Sequence, residues 1–467
     1  MTGAVPAVVI AAPASGSGKT TVATGLIGAL RRAGHRVAPF KVGPDYIDPG
    51  YHGLAAGRPG RNLDPVLVGT ERVVPLYRHG ASGCDLAVVE GVMGLFDGRI
   101  DSNDANAALA VAEGSTAQVA SLLGAPVVLV VDARGHSQSL AALLHGFATF
   151  DSGVRLGGVI LNRVGSPRHD QVLRAACARV GLPVLGSLPR MAELEVPSRH
   201  LGLIPAVEHG AAATEAVAAM TDLVAAHVDL TAIAALAQSS ARGPVWDPDD
   251  EVSAEAVRHE RPIVAIAGGA AFTFGYAEHR ELLTAAGAQT LVFDPLRDEL
   301  PDTAAGLVLP GGFPEEHAEQ LAANVGLLRA VADGAGRGLP VHAECAGLLY
   351  LTRSLDGHAM AGVFDVDATF GSRLTLGYRD AVALRDSVLW RAGERVRGHE
   401  FHRTRLTTAL STPAWGWRDS AGAREFEGGM TGRVHASYLH THPAGNPEAT
   451  VRFVAEAAEY ARSRTGR

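Results

Sequence analysis

Residues able to do chemistry lie in two widely separated parts of the chain. The first is the N-terminal stretch VVIAAPASGSGKTTVATGLIGAL. Its Gly16 and Gly18 let backbone N–H groups turn inward around phosphate oxygens, within a loop that also carries Ser15, Ser17 and Thr21. Lys19 adds a positive charge for the β- and γ-phosphates, and the Thr20 hydroxyl can ligate Mg²⁺. Pro13 stands where such loops usually have glycine, so the match is partial. Carboxylates that could hold the metal follow: Asp45 and Asp48 in KVGPDYIDPGYH, and Glu90 at the end of a β-branched run in DLAVVEGVMGLFDG. Mg²⁺ prefers few protein carboxylates together with phosphate and water, which suits Thr20 with these acids. Asp97 is a weaker member, because its Asp-Gly dipeptide also reads as a turn.

The second group centres on Cys345, which follows LPVHAE and precedes the helical pattern AGLLYLTRSL. A thiol on a sharp strand-to-helix turn is exposed to substrate, and the helix start favours its thiolate. Upstream, GLVLPGGFPEEH sets Gly311 and Gly312 after another strand. Their N–H groups, with that of Ala346, are candidates for an oxyanion hole. Downstream, RVHASYLHTHPAGNP offers His440 and His442 at alternating positions, and one of them must be the base. The competing reading of Cys345 alone is a buried inert thiol.

The elements that position these groups are predicted from short apolar runs separated by helical periodicity. Strands are expected near Val8, Val37, Val88, Val128, Val159 and Val184, with helices over Thr21–Ala33, Gln171–Val180 and a long Ala-rich stretch from Thr214 to Gln238. Near-continuous apolar strands alternating with helices indicate a parallel sheet covered on both faces, and thus an α/β fold. The Pro- and acid-rich segment after residue 240 reads as a linker. It divides the chain into domains 1–242 and 261–467, joined by residues 243–260. The second α/β pattern places strands near Val264, Val292, Val308 and before Cys345.

At 467 residues the chain exceeds what one hydrophobic core usually organises. Its net charge of −8 gives no sequence-wide electrostatic argument for nucleic acid or an anionic membrane, neither of which is expected as partner, so an anionic substrate needs a local basic cluster. Three dispersed cysteines suit a reducing compartment, and no apolar run reaches membrane length. A cytoplasmic protein is expected; the oligomeric state is left open, with a homodimer one arrangement.

The two halves together resemble the cobyrinic acid a,c-diamide synthase family, including its hydrogenobyrinic acid branch. The specific matches are KVGPDYIDPGYH, NLDP (Asn62–Pro65), VVEGVMGLFDG, AECAGLLYL, RGHEFH (Arg397–His402) and SYLHTH. The resemblance implies a dethiobiotin-synthetase-like P-loop domain followed by a class I glutamine amidotransferase-like domain. Cys345 then corresponds to the glutaminase nucleophile and His440 to its base. Many such glutaminases complete a triad with Glu two residues after this His; here that position is His442, leaving the third role unassigned. ATP with Mg²⁺ would activate a substrate carboxylate as an acyl phosphate. Ammonia from L-glutamine, delivered along an inter-domain path, would convert it to the amide. The substrate implied is a polycarboxylate corrinoid precursor, amidated on its a and c acetates. Contacts to it are expected from Tyr46, Arg397, His399 and His402, the last three within the basic run Arg395–Arg405. Asn162 in GVILNRV is a candidate contact to the nucleotide base. Cobyric acid synthases typically carry a QNMS-type segment where this chain has GPDYIDP. They, nickel-sirohydrochlorin diamide synthases and a regulatory P-loop ATPase with an inert amidotransferase-like domain are the competing readings.

Overall fold

A computed structural model describes residues 4–99, 111–151, 153–190, 198–199, 202–252, 260–419 and 421–465. The chain divides into two compact units, Met1–Trp246 and Asp247–Arg467. Trp246 is anchored in the first: its backbone N–H donates to the Pro75 carbonyl (3.1 Å) and its buried ring meets His79 edge-on. Among the described residues no helix is long and apolar enough to cross a membrane.

The first unit is built on seven strands: β1 (Ala7–Ala11), β2 (Val37–Val42), β3 (Arg61–Leu63), β4 (Leu86–Glu90), β5 (Val127–Asp132), β6 (Leu156–Val164) and β7 (Val184–Pro189). All pair in parallel in the order β3-β2-β4-β1-β5-β6-β7. Helices cover both faces, so the central strands are apolar throughout; every residue of β1 is buried. The glycine-rich loop leaves β1 at mid-sheet and opens helix α1 (Lys19–Arg32). Gly25 and Gly28 let α1 close on the helix Ala211–His227, since a Cβ at either would fall 2.3 Å from Met220 O or 2.1 Å from Thr221 Oγ1. Helix α2 (Asp48–Ala56) follows the acid-bearing loop. The Ala-rich stretch expected as one helix is two. Val228 is extended, and Asp229 caps a second helix, Leu230–Leu236, by accepting from Ala232 N–H. A two-residue antiparallel pair, β8 (Ser198–Arg199) and β9 (Gly202–Leu203), completes the unit's strands.

The second unit holds two sheets. One contains β10 (Ile263–Ala267), β11 (Gln289–Phe293), β12 (Ala304–Leu309) and β13 (Val341–Glu344). The other is built from β14 (Ser354–Leu355), β15 (His358–Ala359) and the long antiparallel pair β16 (Asp367–Ala383) and β17 (Arg395–Leu406), with β18 (Trp415–Arg418) and β19 (Arg424–Glu427) beside it. The chain then returns through β20 (Gly429–Thr431) and β21 (Val434–Ser437) to the first sheet, giving the order β11-β10-β12-β13-β21-β20. It ends its strands with β22 (His440–Thr441) on β17. Thus β21 pairs with β13 and, three residues later, His440 pairs with His399 of β17. That crossing between sheets brings the histidine segment to the end of the strand that precedes Cys345.

Candidate active sites

The phosphate loop has the backbone its sequence calls for. Gly16 and Gly18 both take positive φ (78° and 93°), a region open to glycine at little cost. At Gly18 a side chain is excluded twice, because a Cβ would also lie 2.2 Å from Asn162 Nδ2. Asn162 donates to the Ser17 carbonyl (2.9 Å) and Arg163 to the Gly16 carbonyl (2.9 Å), so β6 braces the loop from beneath. The Ser17 hydroxyl donates to Ala14 O at 2.9 Å. Lys19 Nζ donates to Met93 O at 2.5 Å, in the loop that follows Glu90; burial, then the nearby Lys41, lowers its pKa. Asp97 accepts from Gly94 N–H (2.9 Å) and shapes that same loop.

Three predicted ligands converge beside it. Thr20 Oγ1 donates to Glu90 Oε1 (2.7 Å) and lies 3.2 Å from Asp48 Oδ2. Asp45 also holds the loop: its Oδ1 accepts from the N–H groups of Ile47 and Asp48 at 2.8 and 2.9 Å. Asn62 of NLDP clamps the loop by donating to Gly43 O and Asp45 O, and Asp64 caps the next short helix. Tyr46 is half-buried in this loop, one residue from Asp45.

Two residues that were not predicted complete the cluster. Lys41 Nζ lies 2.6 Å from Asp48, 3.0 Å from Glu90 and 3.8 Å from Asp45. His52, fully buried, places Nε2 at 2.6 Å from Glu90 Oε2 and Nδ1 at 2.9 Å from Thr24 Oγ1. Burial would raise the Glu90 pKa, but Lys41 and His52 outweigh it and hold the group at about 2. Burial likewise opposes the charge on Lys41, and the three carboxylates more than restore it. His52 follows Asp48 by four residues and so lies on the same face of α2, a spacing visible in the sequence. Among the described residues no group of three or more His, Cys, Asp or Glu is arranged to hold a metal by itself. A hydroxyl with two carboxylates is all-oxygen and hard. It fits Mg²⁺ in the mode that leaves most positions to phosphate and water.

In the second unit Cys345 sits at φ 48°, ψ −97°, a left-handed backbone that non-glycine residues seldom adopt. Its N–H donates to Ser437 O (2.7 Å), which ties the turn to β21. The exposed, thiolate-favouring turn expected from the sequence is not found: Cys345 is buried, and burial, then the charge of Glu315, pushes its thiol pKa far up. The N–H groups of Ala346 and Gly312 point at its sulfur. Gly311 abuts the predicted base, since a Cβ there would fall 2.4 Å from His440 Cε1. Gly347 is needed for the turn, where a Cβ would meet Leu309 O at 2.1 Å. The two histidines diverge. His440 is buried at Gly311, whereas His442 accepts from Ala444 N–H (3.2 Å) and packs 4.1 Å from the Tyr276 ring.

Glu344 is a member of this site that sequence reasoning missed. Its Oε1 accepts from Thr441 N–H (3.1 Å) and Thr441 Oγ1 (3.0 Å), and its Oε2 lies 3.6 Å from His440 Nδ1. Successive residues of a strand face opposite ways, so its place directly before Cys345 argued against a shared site.

The basic run is divided by that same alternation. Arg397 and His399 share one face of β17, whereas His402 lies on the other with Glu400. His402 Nδ1 is 2.8 Å from Thr404 O, and its ring stacks on Tyr438 at 3.8 Å. His399 is buried edge-on against Tyr378, and burial drops its pKa to about 3, which removes it as a cation at neutral pH. Of the three expected contacts, Arg397, ion-paired with Asp380 at 3.4 Å, therefore shares a face of β17 with His399 but not with His402.

Residues 8–204 match the CobQ/CobB/MinD/ParA nucleotide binding domain family, and residues 257–448 the CobB/CobQ-like glutamine amidotransferase domain family. A hydrogenobyrinate a,c-diamide synthase of Mycobacterium tuberculosis is 62% identical over 455 residues, covering 97% of this chain and 98% of the relative. One from Streptomyces coelicolor is 56% identical over 482 residues, covering 97% of each. A cobyrinate a,c-diamide synthase of Gloeobacter violaceus is 41% identical over 458 residues, covering 96% of each. With identity of this order over nearly its whole length, a nucleotide-binding loop in one unit and a Cys-His centre in the other, the chain belongs to the hydrogenobyrinate and cobyrinate a,c-diamide synthase family.

Proposed function

We propose that this protein amidates the a and c carboxylates of hydrogenobyrinate, using ATP with Mg²⁺ and ammonia drawn from glutamine. The observation that carries the reading is the pairing of two reaction centres in one chain: a phosphate loop facing an oxygen-ligand cluster, and a thiol set against two backbone N–H groups. A glutamine-dependent amide-forming ligase needs both, because a free carboxylate is too poor an electrophile for ammonia. The relatives named above support the macrocycle. The two with the higher identities are named for hydrogenobyrinate. Three free cysteines support a cytoplasmic setting.

Lys19, Thr20 and the N–H groups of the loop hold the nucleotide phosphates, and Thr20, Asp48 and Glu90 would hold Mg²⁺. When bound, the metal offsets charge on the transferring phosphoryl group. Lys41 holds Glu90 charged and opposes proton uptake by Asp48, and His52 orients Glu90. In the second unit His440 takes the Cys345 proton as the sulfur bonds to the glutamine amide carbon. The N–H groups of Gly312 and Ala346 receive the developing oxyanion. The C–N bond then breaks, ammonia leaves with the proton from His440, and water later hydrolyses the thioester.

Mass spectrometry of reactions with ATP, Mg²⁺, glutamine and either hydrogenobyrinic or cobyrinic acid tests the reading. Two successive exchanges of OH for NH₂ followed by a halt are expected, faster on the metal-free macrocycle. Glutamine hydrolysis without any mass change on either acid would sink the proposed substrate.

A further inference from the structure

The carboxylate that glutaminases of this class commonly place two residues after the catalytic histidine is replaced here by His442, which is occupied with Ala444 and Tyr276. A carboxylate reaches His440 from another strand. Strands β13 and β21 run parallel with Glu344 opposite Ser437, so the end of β13 lies beside the chain as it climbs through Tyr438 and Leu439 to His440. One oxygen of Glu344 takes both the N–H and the hydroxyl of Thr441, while the other lies 3.6 Å from His440 Nδ1. The carboxylate thus grips the residue next to the histidine as well as facing its ring. His342, two residues earlier on the same strand face, places Nε2 at 3.3 Å from Glu344 Oε1.

The obstacle to sharing one site between consecutive residues is strand alternation, and the backbone removes it. Cys345, at φ 48°, leaves the pleat immediately after Glu344, which carries the thiol to the Gly312 N–H. His440 lies at the adjoining Gly311.

We propose that Glu344 is the positioning carboxylate of the glutaminase centre, holding the His440 ring with its Nδ1–H toward the acid and Nε2 toward Cys345. The proposal rests on the reading that Cys345 and His440 hydrolyse glutamine. The role suits an ionised acid: burial opposes the charge, but the neighbouring His342 and His440 rings hold the Glu344 pKa far below the usual carboxylate range. Taking a proton from Cys345 requires a base of fixed tautomer, and the acid beside Nδ1 determines which ring nitrogen carries the proton.

The test compares Glu344→Gln and Glu344→Asp with the parent full-length enzyme. Glutamine-driven and ammonium-driven amidation are measured, with kcat and KM for glutamine and a pH profile. Glu344→Gln keeps an acceptor for Thr441 but loses the charge. It should cut glutamine-dependent kcat by roughly 100-fold, with KM within about twofold and ammonium-driven synthesis kept. The acidic limb of kcat/KM should move to lower pH, as His440 loses its anionic neighbour while His342, His399, His442, Cys345 and Glu315 stay in place. Glu344→Asp should recover part of the loss. An unchanged kcat and acidic limb would overturn the proposal. Equal loss of glutamine- and ammonium-driven activity would overturn it too, showing Glu344 to be structural. Failure of the underlying reading looks different: Cys345→Ala would still hydrolyse glutamine.

Discussion

Lys41 and Glu90 stand opposite each other in register on the adjacent parallel strands β2 and β4, with Nζ 3.0 Å from Oε1 and both side chains buried. The same ammonium lies 2.6 Å from Asp48, so the acids proposed to hold Mg²⁺ already carry a protein cation. Burial and Asp45 already lift the Asp48 carboxyl to about 7 against the pull of Lys41, and without that ammonium Glu90 too would be driven to bind a proton.

Lys41→Met should therefore destabilise the first unit by about 3–5 kcal/mol, the usual cost of removing one partner from a buried ion pair. Urea unfolding without Mg²⁺ would read the loss, and added Mg²⁺ should recover part of it. Wild-type stability in the variant would mean that Lys41 is not the counter-ion of this cluster.

The two centres should be separable. Cys345→Ala should abolish glutamine-dependent amidation yet still use ammonium, and Lys19→Met should lose both while retaining basal glutamine hydrolysis. Loss of both donors on changing Cys345 would contradict the division of labour.

Gly311→Ala probes the contact with the base. Its Cβ would fall 2.4 Å from His440 Cε1 and 3.1 Å from Phe274, so the ring must move. Glutamine-dependent kcat should drop by about 100-fold, the scale expected from a misplacement of about 1 Å. Ammonium-driven activity should persist. A variant as fast with glutamine as the parent would show that the ring position is not limiting.

Acid should destabilise the second unit through its buried histidines. Burial lowers His435 and His399 to about 3 and His279 to about 4, all from 6.5. A depressed histidine pKa means that the unfolded chain binds the extra proton. The stability is complete above pH 6.5 and is lost as pH falls towards the folded values. His435→Phe keeps a ring against Trp415 and should flatten this loss by about 1.4 kcal/mol per pH unit, one proton's worth. Urea unfolding across that range measures the slope, and a variant with the parent slope would exonerate His435.

Much of the first site was legible because its parts are contiguous. Strand, glycine loop, Lys19, Thr20 and helix α1 follow one another directly, and local backbone preferences suffice to shape them. The turn at Cys345 was legible for the same reason, as were the paired glycines at 311 and 312. The division of the basic run was legible too, since a period of two places His402 opposite Arg397 and His399; composition alone concealed it.

What only the tertiary structure decided lies between strands distant in sequence. Nothing local says that Lys41 pairs with Glu90, that β21 lies beside β13, or that β16 and β17 form a second sheet that receives His440. Those registers follow from the whole sheet burying its apolar faces, a choice made over many residues at once. So the sequence by itself determined which residues can hold phosphate and attack an amide. The fold decided that Lys41 stands among Asp48 and Glu90 and that Glu344 stands beside His440.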